Sequence, residues 1–304
     1  MMKLRQNPIF IVGYPRSGTT LLQRMLAAQP DLYTFPETHY FNVVEKEIRW
    51  DKSAAGEIIA RDCLPAILEK IYEKMRLRFT EAEKADLMFL AANKKLSSKK
   101  IFETIVSHYL MIRDPDFTDN VHFRWIEKTP NHAHFLERIV SMYPEVQVLH
   151  VLRHPVPAIY SRKLKFPFNR ETPVAELARR WNRMVLDVET FMQKYPGHIY
   201  TLRYEDLVGD LEKQFHGVAA FLNINARGGH LAFLEERNKR NVEQFILPSE
   251  KWKLDDLKIE MNITNHHYRD MTDPEETGTI EEITMEIMTR YGYESFGRQM
   301  NDYL

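Results

Sequence analysis

Residues 8–22 read PIFIVGYPRSGTTLL, an apolar run followed by a loop framed by two glycines and by the start of a helix. The run predicts a buried strand over Ile9–Gly13, and apolar residues at helical spacing predict a helix over Thr19–Ala28. A strand, a tight glycine loop and a helix N-terminus together aim several backbone N–H groups and a positive helix end at one point. This stretch therefore predicts an anion site that suits a phosphate.

The loop lacks the lysine that nucleotide triphosphatases use. Their pattern, G-x-x-x-x-G-K-[ST], places a lysine directly after the second glycine, where this chain has Thr19. The positive charge lies inside the loop instead, at Arg16. A cradle of this kind argues against hydrolysis of a γ-phosphate and favours the binding of a nucleotide 5′-phosphate.

Strand and helix signals alternate along most of the chain. The predicted strands are Ile9–Gly13, Leu32–Phe35, Arg124–Glu127, Val146–Leu152 and Ile199–Arg203. The predicted helices are Thr19–Ala28, His134–Tyr143, Val156–Lys165, Val174–Tyr195, Leu211–Leu222 and Glu281–Tyr291. The alternation predicts an α/β fold of three layers, a P-loop-like arrangement with a central parallel sheet flanked by helices. Such a sheet binds ligands at the carboxyl ends of its strands.

The length of 304 residues allows one large domain or two small ones. We predict a single domain over residues 1–304, with a helical insertion at residues 45–120 where strand signals are few. We expect the insertion to lie over the site as a substrate-binding lid. The alternative is a plain helical layer that never touches the substrate.

Composition limits the partners and the compartment. The chain is 44% hydrophobic and 28% charged, with a net charge of −1, so we expect no nucleic-acid partner. No apolar run approaches the roughly 18 residues that span a bilayer. The single cysteine, Cys63, excludes an intrachain disulfide and favours a reducing compartment. We therefore expect a soluble, cytoplasmic protein.

Three further groups follow predicted strands, at the edge where a parallel sheet binds its ligands. Arg153 follows one strand and Ser161 lies in the next helix, so a charge and a hydroxyl donor can bind a second phosphate together. Lys128 ends another strand, where a point cation can stabilise charge that develops on a leaving phosphate. Glu37 follows the second strand, and a carboxylate there suits deprotonation of an alcohol.

These motifs carry a family resemblance. The loop P-R-S-G-T-T-L-L resembles the 5′-phosphosulfate-binding loop of sulfotransferases that use 3′-phosphoadenosine-5′-phosphosulfate (PAPS). The layout R-x-P-x(5)-S from Arg153 to Ser161 is similar to the segment that holds the donor's 3′-phosphate in that family. The resemblance implies PAPS as donor and PAP as product. We expect no required metal, because side-chain cations can take the charge of the leaving phosphate in sulfuryl transfer. It implies a donor site made of Arg16, Ser17, Gly18, Thr19, Thr20, Arg153 and Ser161.

The resemblance also implies catalytic roles. The lysine that matches Lys128 contacts the phosphosulfate bridge in the family, and Arg16 would share its task. Cytosolic small-molecule sulfotransferases have a catalytic histidine two residues after this lysine, where the present chain has Pro130. The segment F-P-E-T, residues 35–38, resembles the tyrosylprotein and Golgi-type branch, whose matching glutamate is the general base. Glu37 is therefore the expected base, and the rivals are His39 and, more weakly, His132 and His134.

Two later segments resemble parts of the donor site. Ser249, Lys251 and Trp252 resemble a loop that closes over the donor. Tyr204, in Y-E-D-L, resembles a tyrosine near the adenosine, and the alternative is a core tyrosine beside helix-capping acids. Metal binding has little support in the sequence, because the closely spaced histidines at 150 and 154 straddle a strand end.

We predict a PAPS-dependent sulfotransferase that moves a sulfonate in line onto a hydroxyl of a small-molecule, lipid-like or carrier-bound acceptor. One alternative, a P-loop kinase-like phosphotransferase, needs a magnesium-holding acid where Arg153 stands. The other, a non-catalytic nucleotide-binding module, does not need Arg16, Lys128 and Glu37 together. A lipid-like acceptor is favoured by apolar and aromatic positions in the insertion. These are Ile67, Leu68, Ile71, Tyr72, Phe89 and Tyr109.

Overall fold

A five-stranded sheet forms the centre of the protein in the computed structural model. The structure describes residues 7–29, 31–47, 64–75, 80–82, 85, 89, 97–113, 123–225 and 272–296. The strands are Ile9–Gly13 (β1), Leu32–Thr34 (β2), Arg124–Lys128 (β3), Gln147–Leu152 (β4) and Ile199–Arg203 (β5). They are the strands that the apolar runs predict, with bounds that differ by no more than one residue.

The strand order is β2-β3-β1-β4-β5, and every neighbouring pair is parallel. Ile11 lies beside Lys128 on one side of β1, and Gly13 lies beside Val151 on the other. All residues of β1 and β3 are buried. Burial on both faces explains the nearly continuous apolar sequence of β1. The carboxyl ends of the three central strands therefore meet at one edge of the sheet.

Helices cover both faces of this sheet. In the described ranges they are Thr19–Ala27 (α1), Tyr40–Glu47 (α2), Leu64–Met75 (α3), Ser98–Arg113 (α4), Leu136–Met142 (α5), Pro155–Lys165 (α6), Val174–Lys194 (α7), Tyr204–Gly209 (α8), Leu211–Leu222 (α9) and Pro274–Arg290 (α10). None of them has the length and apolar character that crossing a membrane requires.

Alternating side chains of β1 pack into two separate hydrophobic cores. Ile9 and Ile11 pack against α1, α8 and α9 in the smaller core. Phe10 and Val12 face the larger core, to which α2 to α7 and α10 contribute. This alternation follows from the period of two along a strand. The three-layer α/β fold that the sequence predicts is confirmed, while the single domain over residues 1–304 stays a prediction.

Two helix starts differ from the sequence prediction by more than one residue. A 3-10 helix, Pro130–Phe135, includes His134, so the α-helix that follows begins after it. The last helix begins at Pro274 rather than Glu281, because the Asp273 side chain accepts hydrogen bonds from two backbone N–H groups of the first turn. An acidic cap followed by proline is a strong helix start, and the sequence carried that signal.

The insertion is mostly helical where it is described. Its helix α4 packs on the sheet, where Phe102 contacts Phe10 and Trp125, and α3 packs beside α2 in the larger core. Four of the apolar positions that were expected to favour a lipid-like acceptor are buried in the larger core: Ile67, Leu68, Ile71 and Tyr109. These four positions belong to the apolar stripes by which amphipathic helices pack into a core, and a role for them in acceptor binding stays a prediction. Phe89 is exposed, and the side chain of Tyr72 lies outside the described residues. A lid formed by the rest of residues 45–120 stays a prediction.

Candidate active site

The two glycines of the β1–α1 loop stand where the chain passes close to other parts of the fold. A Cβ on Gly13 would lie 2.3 Å from the carbonyl oxygen of Val151 on β4. Gly18 has a φ of +89°, and a Cβ there would lie 2.3 Å from a ring carbon of Tyr204. Both positions therefore require glycine. Their tight packing fixes the loop between them at the carboxyl end of β1.

The start of α1 offers hydrogen-bond donors to an anion. Gly18 is the N-cap of the helix and provides no side-chain cap for the first backbone N–H groups. The Ser17 hydroxyl is fully buried and has no hydrogen-bond partner in the part of the chain that the structure describes. A buried hydroxyl beside an uncapped helix N-terminus suits a phosphate oxygen. The loop Arg16–Thr20 therefore fits the 5′-phosphate end of the expected donor.

Both predicted phosphate motifs meet in one cluster. Arg16 Nε donates a hydrogen bond to Ser161 Oγ over 3.0 Å. Arg153 Nη1 donates to the carbonyl oxygen of Arg16 over 2.8 Å. These contacts form because β1 and β4 are neighbours and each sends its loop to the same edge. The structure thus brings two guanidinium groups and a hydroxyl, from residues far apart in sequence, to one place.

The ring of Tyr204 packs against the Arg153 side chain of this cluster. The Arg153 guanidinium lies over the Tyr204 ring, 4.3 Å from its centroid, in cation–π geometry. The ring is buried in the smaller core and packs against Gly18. The ring is therefore covered by the loop and by Arg153, and a donor contact of Tyr204 stays a prediction.

The expected base and the expected cation contact each other. Lys128 Nζ forms an ion pair with Glu37 Oε1. The Lys128 side chain is 2% exposed and the Glu37 side chain 19%. His39 Nε2 lies 3.4 Å from the other Glu37 oxygen, and its side chain is 30% exposed. Because β2 and β3 are neighbours, their ends bring residues 37 and 128 together.

A buried acid that the sequence analysis missed lies next to this pair. Glu127 accepts hydrogen bonds from Thr38 Oγ1 at 2.9 Å and from Thr129 Oγ1 at 2.6 Å. It also accepts from the Thr129 backbone N–H at 3.0 Å, and His132 Nδ1 lies 2.8 Å from its second oxygen. Burial opposes ionisation, but His132 and the hydroxyl donors outweigh it and lower the pKa of Glu127. An acid inside the buried strand R-W-I-E-K was the signal for it.

The two weaker rivals for the base, His132 and His134, have other partners. His132 is fully buried and contacts Glu127. His134 Nδ1 lies 2.6 Å from Asp187 on α7. His39 is therefore the rival that the structure places beside Glu37.

His150 and His154 are buried, and their rings contact neighbouring residues of the fold. Burial lowers the pKa of His150 to about 4, and its Nδ1 lies 3.3 Å from Thr201 Oγ1. The His154 ring caps α6, and its backbone N–H donates to Glu205 over 3.0 Å. Glu205 also accepts a hydrogen bond from the Tyr293 hydroxyl over 2.8 Å. Glu205 therefore connects the segment after α10 to the loop that follows Arg153. Among the described residues no group of three or more His, Cys, Asp or Glu is placed to hold a metal.

Four residues named by the sequence analysis lie outside the described residues. They are Cys63, Ser249, Lys251 and Trp252. A donor contact by the last three stays a prediction.

The sequence of this chain is similar to a known protein family and to two of the relatives described next. Residues 8–227 match the model of the sulfotransferase family. Nodulation protein NoeE of Sinorhizobium fredii is 26% identical over 78% of this chain and 54% of its own length. Protein-tyrosine sulfotransferase 1 of Danio rerio is 27% identical over 71% of this chain and 53% of its own. The chain thus spans about half the length of these two relatives.

Two further proteins align with this chain over a larger share of both sequences. Omega-hydroxy-beta-dihydromenaquinone-9 sulfotransferase Stf3 of Mycobacterium bovis is 22% identical over 94% of this chain and 75% of its own. A solved sulfotransferase domain from the curacin biosynthetic pathway superposes with a TM-score of 0.56 at 19% identity, covering 96% of this chain and 99% of that one. The superposition supports the same overall fold.

Proposed function

Because the chain belongs to the sulfotransferase family, we propose that it transfers a sulfonate from PAPS to a hydroxyl by in-line displacement. The observation that carries the proposal is the contact of Arg16 with Ser161 and Arg153, since it joins the two motifs expected to bind the donor's two phosphates. The ion pair of Glu37 with Lys128 lies at the ends of the adjoining strands. One edge of the sheet therefore carries groups for donor binding and for proton transfer.

Each group has a task in this proposal. PAPS supplies the sulfonate and leaves as PAP. Glu37 accepts the proton of the acceptor hydroxyl as the hydroxyl oxygen bonds to sulfur. Lys128 neutralises the negative charge that grows on the bridging oxygen of the 5′-phosphate when its bond to sulfur breaks. Arg153 and Ser161 hold the 3′-phosphate, while the loop Arg16–Thr20 holds the 5′-phosphate.

We propose a small-molecule, lipid-like or carrier-bound hydroxyl as the acceptor. The name of the Mycobacterium bovis relative includes a hydroxylated menaquinone, which supports an alcohol on a lipid-like molecule. We also propose a cytoplasmic location, because one cysteine in 304 residues suits a reducing compartment.

A transfer assay with sulfur-labelled PAPS tests the function. With a panel of lipid, small-molecule and carrier-bound alcohols in the presence of EDTA, we expect label in at least one acceptor and an equal amount of PAP. The matched control uses ATP labelled on its γ-phosphate with magnesium, from which we expect no transfer. Transfer from ATP, or none from PAPS, would contradict the proposal.

Thermal unfolding separates binding from turnover in the same preparation. PAP at about 100 times its Kd should stabilise the fold by about 2.7 kcal/mol without metal. PAP stabilisation without any transfer across the panel would point to the non-catalytic alternative. ATP with magnesium stabilising the protein more than PAP would point to the kinase-like alternative.

The Arg153→Ala variant tests the 3′-phosphate site. We expect PAP to bind it about 10- to 100-fold more weakly, the scale of a charged hydrogen-bonded contact. Adenosine 5′-phosphosulfate, which lacks the 3′-phosphate, should lose far less. Titration calorimetry with both ligands measures the difference.

A matched control is Arg203→Ala, which removes an arginine at the end of the neighbouring strand β5. Its guanidinium donates to the carbonyl oxygens of Tyr291 and Gly292, so we expect PAP affinity to stay near the wild-type value. Equal losses of both ligands in Arg153→Ala would reject the assignment of Arg153 to the 3′-phosphate.

A further inference from the structure

The acid at residue 127 connects the two segments that carry the proposed catalytic groups. Glu127 immediately precedes Lys128 on β3, and its side chain is 0% exposed. It lies beside Phe10 in the sheet register, on the side of the larger core. Successive side chains of a strand point to opposite faces, so Glu127 cannot share the orientation of Lys128. It contacts the two segments through hydrogen bonds.

Those hydrogen bonds reach both segments at once. Glu127 Oε1 accepts from Thr38, the residue after Glu37, and from Thr129, the residue after Lys128. Glu127 Oε2 accepts from the Thr129 backbone N–H and contacts His132. One carboxylate therefore joins the segment after β2 to the segment after β3.

The two threonines extend the connection into the backbone. Thr129 Oγ1 accepts a hydrogen bond from the His39 N–H over 3.3 Å, and Thr38 Oγ1 accepts from the Tyr40 N–H over 3.2 Å. The backbone on the far side of Glu37 is therefore held by the same network. Such a network fixes a spacing well, because each buried donor that lost its partner would be left without compensation for its lost contact with water.

We propose that Glu127 is a positioning residue that sets the placement of Glu37 relative to Lys128 for sulfonate transfer. The inference rests on the proposed function of those two residues. Glu127 does not touch substrate, and its effect passes through Thr38 and Thr129. A purely structural acid would contribute to stability alone. A positioning acid also sets kcat, since a misplacement of about 1 Å can cost about 10²-fold in rate.

The Glu127→Gln variant tests the proposal once the wild-type protein has shown transfer from PAPS. A glutamine keeps the shape but replaces one acceptor oxygen by an NH₂ donor, so it cannot accept all the hydrogen bonds of the carboxylate. We expect kcat to fall about 10²-fold, while the Kd of PAP changes less than about twofold. The matched control is Glu189→Gln, a buried acid on α7 that pairs with Arg290, for which we expect wild-type kcat.

A second pair of variants covers the case in which Glu127→Gln does not fold. Thr38→Val removes the hydroxyl and keeps the shape, and we expect about a tenfold loss of kcat at unchanged PAP affinity. Thr38→Ser keeps the hydroxyl and should restore kcat. Wild-type kcat in Thr38→Val or in a folded Glu127→Gln would overturn the proposal. Equal losses of kcat in Glu127→Gln and Glu189→Gln would overturn it as well. Failure of the wild-type assay would instead reject the function on which it rests.

Discussion

Glu37→Gln is expected to lower kcat by about 10²–10⁴-fold, the usual contribution of a general base. The physical reason is that a glutamine cannot take up the proton of the acceptor hydroxyl. The amide oxygen of the glutamine can still accept a hydrogen bond from Lys128. The variant therefore removes the negative charge at residue 37 and keeps the contact with Lys128. The Kd of PAP should stay nearly unchanged, because Glu37 acts on the acceptor.

The matched variant is His39→Asn, because His39 is the other proton acceptor that lies beside Glu37. His39 has a φ of 50° in the left-handed region, which asparagine tolerates well, so the substitution should preserve the backbone. We expect this variant to retain most of its activity. The measurement is kcat for both variants in one preparation, with melting temperatures to confirm folding. An active Glu37→Gln beside an inactive His39→Asn would make His39 the base.

The elements that the sequence predicts best are those set by local pattern. The strands are predicted by short apolar runs. Their parallel direction is predicted by the helices that lie between them in the sequence. Placing Arg16, Lys128 and Arg153 at one edge required only the rule that parallel strands end together. The contact between Arg16 and Ser161 agrees with that placement.

What the sequence could not predict depends on contacts between distant residues. Thr38 and Glu127 are 89 positions apart, and only the pairing of β2 with β3 brings them together. The ring of Tyr204 is covered because Gly18 packs on it, which is a property of tertiary packing. The spacing of the apolar residues in α3 predicts an amphipathic helix but does not say which surface that helix covers, and the structure places Ile67, Leu68 and Ile71 in the larger core.

Lys128→Ala is expected to lower kcat by about 10²–10³-fold, the cost of removing one group that stabilises charge developing in the transition state. The KM for PAPS should rise much less, since the charge on the 5′-phosphate oxygen grows only as its bond to sulfur breaks. The control is Lys163→Ala, which removes a partly buried lysine of α6 paired with Glu276 over 2.8 Å. We expect kcat of that variant to match the wild type.

The double variant Glu37→Gln/Lys128→Ala shows whether the two residues act as a unit. In the structure they form one ion pair, so their contributions should be coupled rather than independent. We expect the double variant to lose much less than the product of the two single losses, as residues of one catalytic group do. Single-turnover measurements at saturating PAPS separate this chemical step from product release. A Lys128→Ala variant with normal kcat and only weaker PAPS binding would make Lys128 a donor-binding residue, and losses that multiply fully would assign the two residues to separate steps.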